Sequence, residues 1–293
     1  MATRIDGGSL KTLAGIVAYH PDVKRLEENL SAIAPQVDAV VVFVNGVDSV
    51  AAVQKAAATF ETVSLLINDK NAGVSVGLSR IMEYAIQNTF DWVLSIDQDS
   101  VCRPGLIECY KSYVNLPNVG ILTCCITDRN FSEDFGFDKN DKYCQIGGCI
   151  TAGSFTNVKA YRESDGYDEV MFIDGVDWDI CYNLRRHGYC LYRINFDGVL
   201  HEVGHGKNVS LFGKKVVALG ESPLRNYYMA RNNVYLARKY PEFLKMPNTL
   251  LHELGVEVII LLYEDQKGVK IKNRWRGVKD GFSMPLYDAG SSH

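Results

Sequence analysis

The sequence predicts an α/β protein with a mostly parallel sheet, followed by a helical C-terminal extension. Apolar runs of strand length alternate with amphipathic helical segments from residue 13 to residue 97, and this alternation is typical of parallel strands joined by right-handed crossovers. After Gly220, helical periodicity replaces the strand-like runs. We therefore expect an α/β domain over residues 11–215 and a helical extension over residues 216–293.

The first strands and helices follow directly from this alternation. Residues 13–19, 40–44, 63–67 and 92–97 are apolar, partly β-branched runs that predict four strands. Between them, apolar residues recur at helical spacing over residues 23–33, residues 49–60 form an alanine-rich helix, and a third helix follows Gly73.

The later elements are less regular. Residues 104–115 predict a helix with Pro104 in its first turn, residues 119–126 a strand, and residues 127–143 a loop. Residues 144–155 predict a glycine-containing strand that permits close approach of a ligand or a neighbouring chain. A helix through residues 183–186 ends at Gly188, and a strand or hairpin covers residues 189–200. The extension holds two helices, from Pro223 to about residue 240 and from residue 249 to residue 264.

The composition excludes several classes of protein. With 293 residues, 47% of them apolar and 23% charged, the chain resembles an ordinary globular protein, and its net charge of −4 gives no reason to expect a nucleic-acid partner. The longest apolar stretch, residues 250–263, contains His252, Glu253 and Glu257 and is too short and too polar to span a bilayer. There is no C-x-x-C pair among the eight cysteines, and no N-terminal pattern of a signal peptide. We therefore expect reduced thiols and a cytoplasmic protein.

Two carboxylates end the fourth predicted strand. Asp97 and Asp99 are separated by one residue, and ligands of open α/β sheets bind beyond the carboxyl ends of the strands. Two acids this close repel each other unless a cation or a proton lies between them, and such oxygen ligands suit Mg²⁺ or Mn²⁺. A solvated turn is the alternative, because Asp-x-Asp alone is a weak signal.

Two further segments carry polar groups near helix starts. The loop of residues 68–73 precedes a helix whose first backbone N–H groups would suit a diphosphate, although the loop by itself is better explained as a plain helix entry with an Asn/Asp turn. Asp174, Asp177 and Asp179 form a second acidic cluster. We expect Asp179 to complement the helix dipole, and Asp174 and Asp177 to project into a cleft.

The segment from His201 to His205 matches the H-E-x-x-H zinc motif of metalloproteases. That motif needs a stable helix, whereas Gly198, Gly204 and Gly206 interrupt this segment and the residues before it predict a strand. We therefore expect no zinc peptidase site here.

Six short motifs, in this order, carry a resemblance to a known family. They are residues 18–21 (AYHP), 71–73 (NAG), 96–100 (IDQDS), 172–177 (FIDGVD), His201 with Gly204, and 225–232 (RNYYMARN). Together they resemble the inverting GT-A-fold glycosyltransferases of family two, and within them the rhamnosyltransferase-like group. The resemblance covers residues 13–240.

The resemblance implies roles for individual residues. Asp99 and His201 would be metal ligands, with Mg²⁺ or Mn²⁺ as the cofactor, and Asp177 would be the general base. The nucleotide pocket would be lined by Ala18, Tyr19, Asn71, Gly73, Asp97 and Gln98. Arg225, Tyr228 and Arg231 would contribute to the donor or acceptor side. Relatives often have an arginine five residues before the closing glycine of the helix, where this chain has Asn183; Arg185 or Arg186 would then take over.

The same resemblance implies the partners. The donor would be dTDP-L-rhamnose, with a UDP-sugar, as in galactofuranosyltransferases, as the alternative. The acceptor would be a surface glycan, either free or lipid-linked. Residues 267–279 contain six cations, Trp275 and no acid, so this tail predicts either peripheral contact with anionic lipid at the inner face of the membrane or a solvated basic face.

Two other classes of protein compete with this interpretation. A nucleotidyltransferase would need a glycine-rich, lysine-containing loop after the first strand, which residues 18–21 do not provide. A non-catalytic sugar-nucleotide-binding protein would need no Asp177 and would release no nucleoside diphosphate.

Overall fold

The structure is a computed structural model that describes residues 10–128, 141–201, 207–211 and 214–286. Within these ranges the helices are α1 (Val23–Ile33), α2 (Val50–Ala57), α3 (Val74–Gln87), α4 (Leu106–Lys111), α5 (Val158–Arg162), α6 (Val176–Arg186), α7 (Pro223–Lys239), α8 (Met246–Tyr263) and α9 (Lys267–Ser283). The strands are β1 (Thr12–Ala18), β2 (Ala39–Asn45), β3 (Val63–Asn68), β4 (Trp92–Asp97), β5 (Val101–Cys102), β6 (Val119–Asp128), β7 (Tyr143–Ile146), β8 (Ser154–Asn157), β9 (Cys190–His201), β10 (Lys207–Leu211) and β11 (Lys214–Ala218).

The central sheet is mixed, with a parallel half and a largely antiparallel half. Its strand order is β3-β2-β1-β4-β8-β6-β9-β5, and β7 also pairs with β9. The first four strands in this order are parallel, as the alternation predicts, whereas β8 runs antiparallel to both β4 and β6. The α/β class is therefore confirmed; the sheet is fully parallel over residues 12–97, whereas the later strands mix antiparallel pairs with the parallel pair of β6 and β9.

Residues 144–155 do not form the single strand that the sequence predicts. They contribute to β7 at one end and β8 at the other, on different neighbours in the sheet. Gly153, with φ of +79°, lies in the turn before β8 and donates its N–H to Ser95 O at 2.9 Å. The predicted loop of residues 127–143 falls largely outside the described residues.

Alternate residues of the buried strands pack in two apolar cores, one on each face of the sheet. Val40, Val42 and Val44 face the core covered by α1 and α2, and Val41 and Phe43 face the core covered by α3 and α6. Strands buried on both faces have continuous rather than alternating apolar sequences. This is why short β-branched runs predict these strands correctly.

A buried ion network holds α7 against this second core. Lys239 Nζ donates to Asp168 Oδ2 and to Asp179 Oδ1, each at 2.8 Å. Tyr240 and Tyr235 donate their hydroxyls to the same two carboxylates. Burial raises the pKa of Asp179, which Lys239 opposes. Asp179 is therefore a structural ion-pair partner, and the prediction that it complements the helix dipole misses its main role.

The predicted basic tail is a packed helix, α9. A Cβ on Gly277 would lie 2.3 Å from Tyr227 O of α7, and one on Gly281 would lie 2.5 Å from Arg231 O. These two glycines therefore allow the helices to touch backbone to backbone. Among the described residues, no helix combines the length and apolar character needed to cross a bilayer. The division of the chain at residue 215 stays a prediction.

Candidate functional site

A cavity of about 600 Å³ opens at the carboxyl ends of β1, β2 and β4. This is the edge of an α/β sheet where ligands are expected. Of the residues predicted for the nucleotide pocket or the metal, those that line the cavity are Tyr19, Asn71, Gly73, Asp97, Gln98, Asp99, His201 and Arg225. Segments far apart in the sequence therefore meet in one crevice.

Asp97, Asp99 and His201 form a cluster at the base of this cavity. One carboxylate oxygen of each aspartate and one ring nitrogen of His201 all lie within 4.8 Å of one another. The strand pairing brings them together: Val101 of β5 lies opposite Leu200 of β9, so His201 follows directly beside the turn that carries the two acids. His201 Nδ1 is 2.7 Å from Ser100 Oγ and 3.7 Å from Asp97 Oδ2.

The electrostatics of this cluster fit a divalent cation. Burial raises the pKa of Asp97, as does the neighbouring Asp99 carboxylate, while His201 and Arg225 lower it. Two carboxylates and an imidazole are a donor set that suits Mn²⁺ and, through the oxygens, Mg²⁺. Asp97 therefore joins the two predicted ligands as a third group able to hold the ion.

Gln98 fixes the end of β1 against the acidic turn. Its Oε1 accepts the Tyr19 backbone N–H at 2.9 Å, and its Nε2 donates to the Tyr19 carbonyl at 3.2 Å. The side-chain amide thus imitates a neighbouring strand where β1 has ended. Within the cavity wall, Gln98 orients the Tyr19 backbone.

The start of α3 does not present the open N–H groups that a diphosphate site would need. Val74 N donates to Phe172 O at 2.6 Å, and Gly73 N donates to Asn71 Oδ1 at 2.9 Å. Asn45 at the end of β2 bonds both Asn71 Oδ1 and the Ala72 N–H. Of the two interpretations of this loop, the structure favours the plain helix entry, because the Phe172 carbonyl already caps the helix.

Arg225 lies in the cavity wall between two carboxylates. Its Nε and Nη2 lie 3.0 Å from Asp174 Oδ1, and its Nη1 donates to Glu221 Oε1 at 2.8 Å. Burial raises the pKa of Asp174, and the Arg225 guanidinium opposes that rise. The pairing holds the guanidinium in one orientation, while each Nη still carries a second N–H that can reach an anionic ligand.

Asp177 lies in the first turn of α6, beside the cavity rather than in its lining. It is half-buried and lines a smaller adjoining pocket, and Thr151 borders both spaces. Asp177 Oδ1 accepts the Trp178 N–H at 2.9 Å. Burial, together with the negative charges of Asp97 and Asp174, raises the pKa of Asp177 to about 6, although the hydrogen bond from the Trp178 N–H lowers it.

Three residues predicted for the cleft lie behind its wall. Ala18 is fully buried. Tyr228 stacks on Phe172 with ring centroids 4.8 Å apart, and Arg231 Nη2 donates to the carbonyls of Val170 and Met171. Ala18 packs in the core covered by α1 and α2, and Tyr228 and Arg231 support the acidic loop of residues 170–174 instead of contacting the cavity.

The next residue of α7 completes this support. Asn232 Nδ2 lies 2.7–2.9 Å from the carbonyl oxygens of Met171, Ile173 and Asp174. Phe172 and Asp174, with φ of +62° and +63°, are thereby held in left-handed conformations that non-glycine residues rarely adopt. α7 thus fixes the loop that carries Asp174 to the cavity.

The structure shows what Asn183, at the position where relatives often have an arginine, contacts, and what the two nearby arginines contact. Asn183 is buried and donates to Gly166 O at 2.7 Å. Arg185 Nη1 donates to Gly147 O at 2.8 Å, and Arg186 pairs with Glu242. Of these two arginines, Arg185 contacts the loop between β7 and β8, and its role in place of the relatives' arginine stays a prediction.

Several lining residues were missed from the sequence. Asn45 could have been predicted from the sequence, because it is the polar residue at the end of a parallel strand. Phe172, the first residue of the FIDGVD motif, also lines the cavity, as do Thr151 and Leu219, but nothing in the local sequence of Thr151 or Leu219 distinguishes them.

The metalloprotease motif is not helical at its described end. His201 is the last residue of β9, so its side chain lies at a strand terminus. The rest of the motif, residues 202–205, lies outside the described residues.

Comparison with known sequences gives two matches. Residues 16–146 match the family model described as glycosyltransferase like family 2. The chain is also 26% identical, over 240 residues, to the dTDP-rhamnosyl transferase RfbF of Shigella flexneri, a match that covers 77% of this chain and 79% of that protein.

Comparison with solved structures identifies the fold. The complex of Staphylococcus aureus TarS residues 1–349 with UDP matches 94% of this chain and 72% of that one, with a TM-score of 0.55 and 11% identity. The complex of GalNAc-T7 with UDP, GalNAc and Mn²⁺ matches 98% of this chain and 58% of that one, with a TM-score of 0.62 and 13% identity. The fold predicted from the motifs, GT-A, is thereby confirmed.

Proposed function

We propose that this chain, a glycosyltransferase of family two with a GT-A fold, is a metal-dependent inverting enzyme that transfers L-rhamnose from dTDP-L-rhamnose to a hydroxyl of a bacterial surface glycan. The observation that carries the proposal is the convergence of two acidic groups from distant parts of the chain. Asp97 and Asp99 cluster with His201, and Asp177 lies in the adjoining pocket, where Thr151 borders both spaces and the negative charge of Asp97 raises the pKa of Asp177.

The cavity residues would hold the donor. Asp97, Asp99 and His201 would bind Mg²⁺ or Mn²⁺, which would supply positive charge against the leaving diphosphate. The Arg225 guanidinium, kept in place by Asp174 and Glu221, would donate N–H bonds to the same anionic group. Tyr19, held by Gln98, would border the nucleotide.

Asp177 would act as the general base. Its raised pKa of about 6 leaves it ionised at neutral pH yet more basic than an ordinary aspartate, as proton transfer near that pH favours. Its carboxylate would take the proton of the acceptor hydroxyl as the hydroxyl oxygen bonds to the anomeric carbon. The bond from that carbon to the diphosphate oxygen would break, with its electron pair leaving on the diphosphate, and the configuration would invert.

The choice of donor rests on the relative that is named a dTDP-rhamnosyl transferase. A second candidate, a UDP-sugar-dependent transferase, is favoured by the UDP held in both similar structures. The acceptor would be a glycan, either free or lipid-linked, and the reaction would take place in the cytoplasm.

A thermal-shift screen of dTDP- and UDP-sugars, with and without Mn²⁺ or Mg²⁺, tests this proposal. We expect the largest metal-dependent rise in melting temperature with dTDP-L-rhamnose, since a ligand stabilises the folded state it binds. His201→Ala should remove the metal-dependent part, whereas His252→Ala, at an exposed position on α8, should not. A larger metal-dependent rise with a UDP-sugar would select the second candidate. Donor binding without release of nucleoside diphosphate to any glycan acceptor would indicate a non-catalytic binding protein instead.

A further inference from the structure

Helix α8 has the Glu253 carboxylate facing the protein interior and most of its leucines facing outward. Its fully buried residues are Glu253 and Ile260. The opposite side is an uncharged stripe that recurs at helical spacing, the α8 stripe, consisting of Leu251, Leu254, Val258, Leu261 and Leu262. These five side chains are between 38% and 69% exposed. Amphipathic helices on a protein surface normally face the other way.

The protein fixes this orientation with ion pairs that a rotation of α8 would break. Glu253 pairs with the buried Arg274 of α9 and accepts a hydrogen bond from Asn233 Nδ2 at 2.7 Å. Glu264, directly after α8, pairs with Lys270 at 2.7 Å. The stripe is therefore held outward by the fold, and aliphatic surface kept in water over about three helical turns indicates a contact that covers it.

The neighbouring helix supplies positive charge. Lys270 and Arg274 are buried and used internally, so they cannot form the basic face that the sequence suggested. The exposed cations of α9 are Lys267, Lys272, Arg276 and Lys279, and Trp275 is exposed among them. No acid lies between residues 267 and 279, in a chain whose net charge is −4.

We propose that α8 and α9 dock this protein on an anionic lipid surface, with the α8 stripe entering the interface and the exposed cations of α9 meeting the headgroups. Leucines on one side, basic residues and an aromatic ring are the combination that interfacial helices use. A second copy of the chain fits less well, because a two-fold contact would bring the same cations of both copies towards each other. The proposal does not depend on the donor or on the reaction.

Vesicle co-sedimentation tests the proposal with the full chain. The probes are vesicles of equal parts phosphatidylcholine and phosphatidylglycerol, and vesicles of phosphatidylcholine alone. We expect stronger binding to the anionic vesicles, a loss of about tenfold or more in the partition coefficient for Leu254→Gln/Leu261→Gln, and a smaller loss for Lys272→Gln/Lys279→Gln. The matched controls are Ile67→Gln, which changes an exposed aliphatic residue on the edge strand β3, and Lys24→Gln/Lys55→Gln.

Each measurement has an outcome that overturns the proposal. Equal binding of the Leu254→Gln/Leu261→Gln variant and the unchanged protein would do so, provided that circular dichroism shows both to be folded. No binding to anionic vesicles would also do so. A dimer in analytical ultracentrifugation that the leucine substitutions dissociate would assign the stripe to a second copy instead. Equal binding to neutral and anionic vesicles would remove the role of the α9 cations.

Discussion

Replacement of Asp177 by asparagine should abolish transfer and, at the same time, stabilise the protein. The carboxylate is half-buried beside two other acids, and its pKa is about 6 instead of the ordinary 3.8. At about 1.4 kcal/mol per pKa unit, ionising this group in the folded state costs about 3 kcal/mol. The amide of asparagine avoids that cost and can still accept the Trp178 N–H through its Oδ1.

The sign of the pH dependence follows from the raised pKa. Below pH 3.8 the carboxyl group is protonated in both the folded and the unfolded chain, so Asp177→Asn should change the free energy of unfolding little. Between 3.8 and about 6 only the unfolded chain loses the proton, and the unchanged protein is progressively destabilised. Above about pH 6 the full difference applies, with about 3 kcal/mol as the upper limit.

Urea unfolding followed by circular dichroism, at about pH 4 and about pH 7.5, measures this difference. Asp265→Asn, which changes an exposed aspartate between α8 and α9, is the matched control. Activity is measured as nucleoside diphosphate release in the presence of acceptor. The reasoning would be refuted if Asp177→Asn retained full activity, or if its stability relative to the unchanged protein were the same at both pH values.

Three further predictions test the site and the fold. The kcat/KM for transfer should fall about tenfold per pH unit below about pH 6, as Asp177 becomes protonated; a profile that stays flat to about pH 5 contradicts its role as base. Lys239→Met should lower the free energy of unfolding by about 3–5 kcal/mol in urea titrations, because two buried carboxylates lose their shared cation; an unchanged midpoint contradicts this. Gly73→Ala should cost about 1–3 kcal/mol and lower the melting temperature, because its φ is +92° and a Cβ would lie 2.5 Å from Phe172 O, whereas Gly268→Ala meets nothing within 4 Å and should not.

The sequence predicts well those parts of the fold that depend on local periodicity. The parallel half of the sheet is an example. β1, β2 and β4 are buried on both faces and need continuous apolar runs, and the predicted bounds of these strands and of the edge strand β3 agree with the structure to within two residues. The acidic turn after β4 is also local. Its partner His201 was placed through family resemblance, and the structure adds that the pairing of β5 with β9 brings it beside Asp97.

The features that the sequence does not predict have a different cause, because each depends on contact with a segment that is distant in the sequence. The start of α3 has the sequence of an open anion site, but Phe172, about a hundred residues later, supplies the carbonyl that caps it. Residues 267–279 look like a solvated basic tail because their cations are spread along the whole segment. The sequence therefore does not show which side of the helix is buried. Gly277 and Gly281 become informative only once the backbone of α7 lies against them.

The support that α7 gives to the acidic loop bears on how the gene should be shortened for expression. A fragment ending at residue 215 would keep Asp97, Asp99 and Asp177 yet lose the Asn232 amide and the Arg231 guanidinium that satisfy the carbonyls of residues 170–174. Such a fragment would present the loop with its strained backbone unsupported. The smallest useful recombinant product therefore runs past Tyr240, and cloning boundaries drawn where the strands end would remove the helix that supports the wall of the cavity.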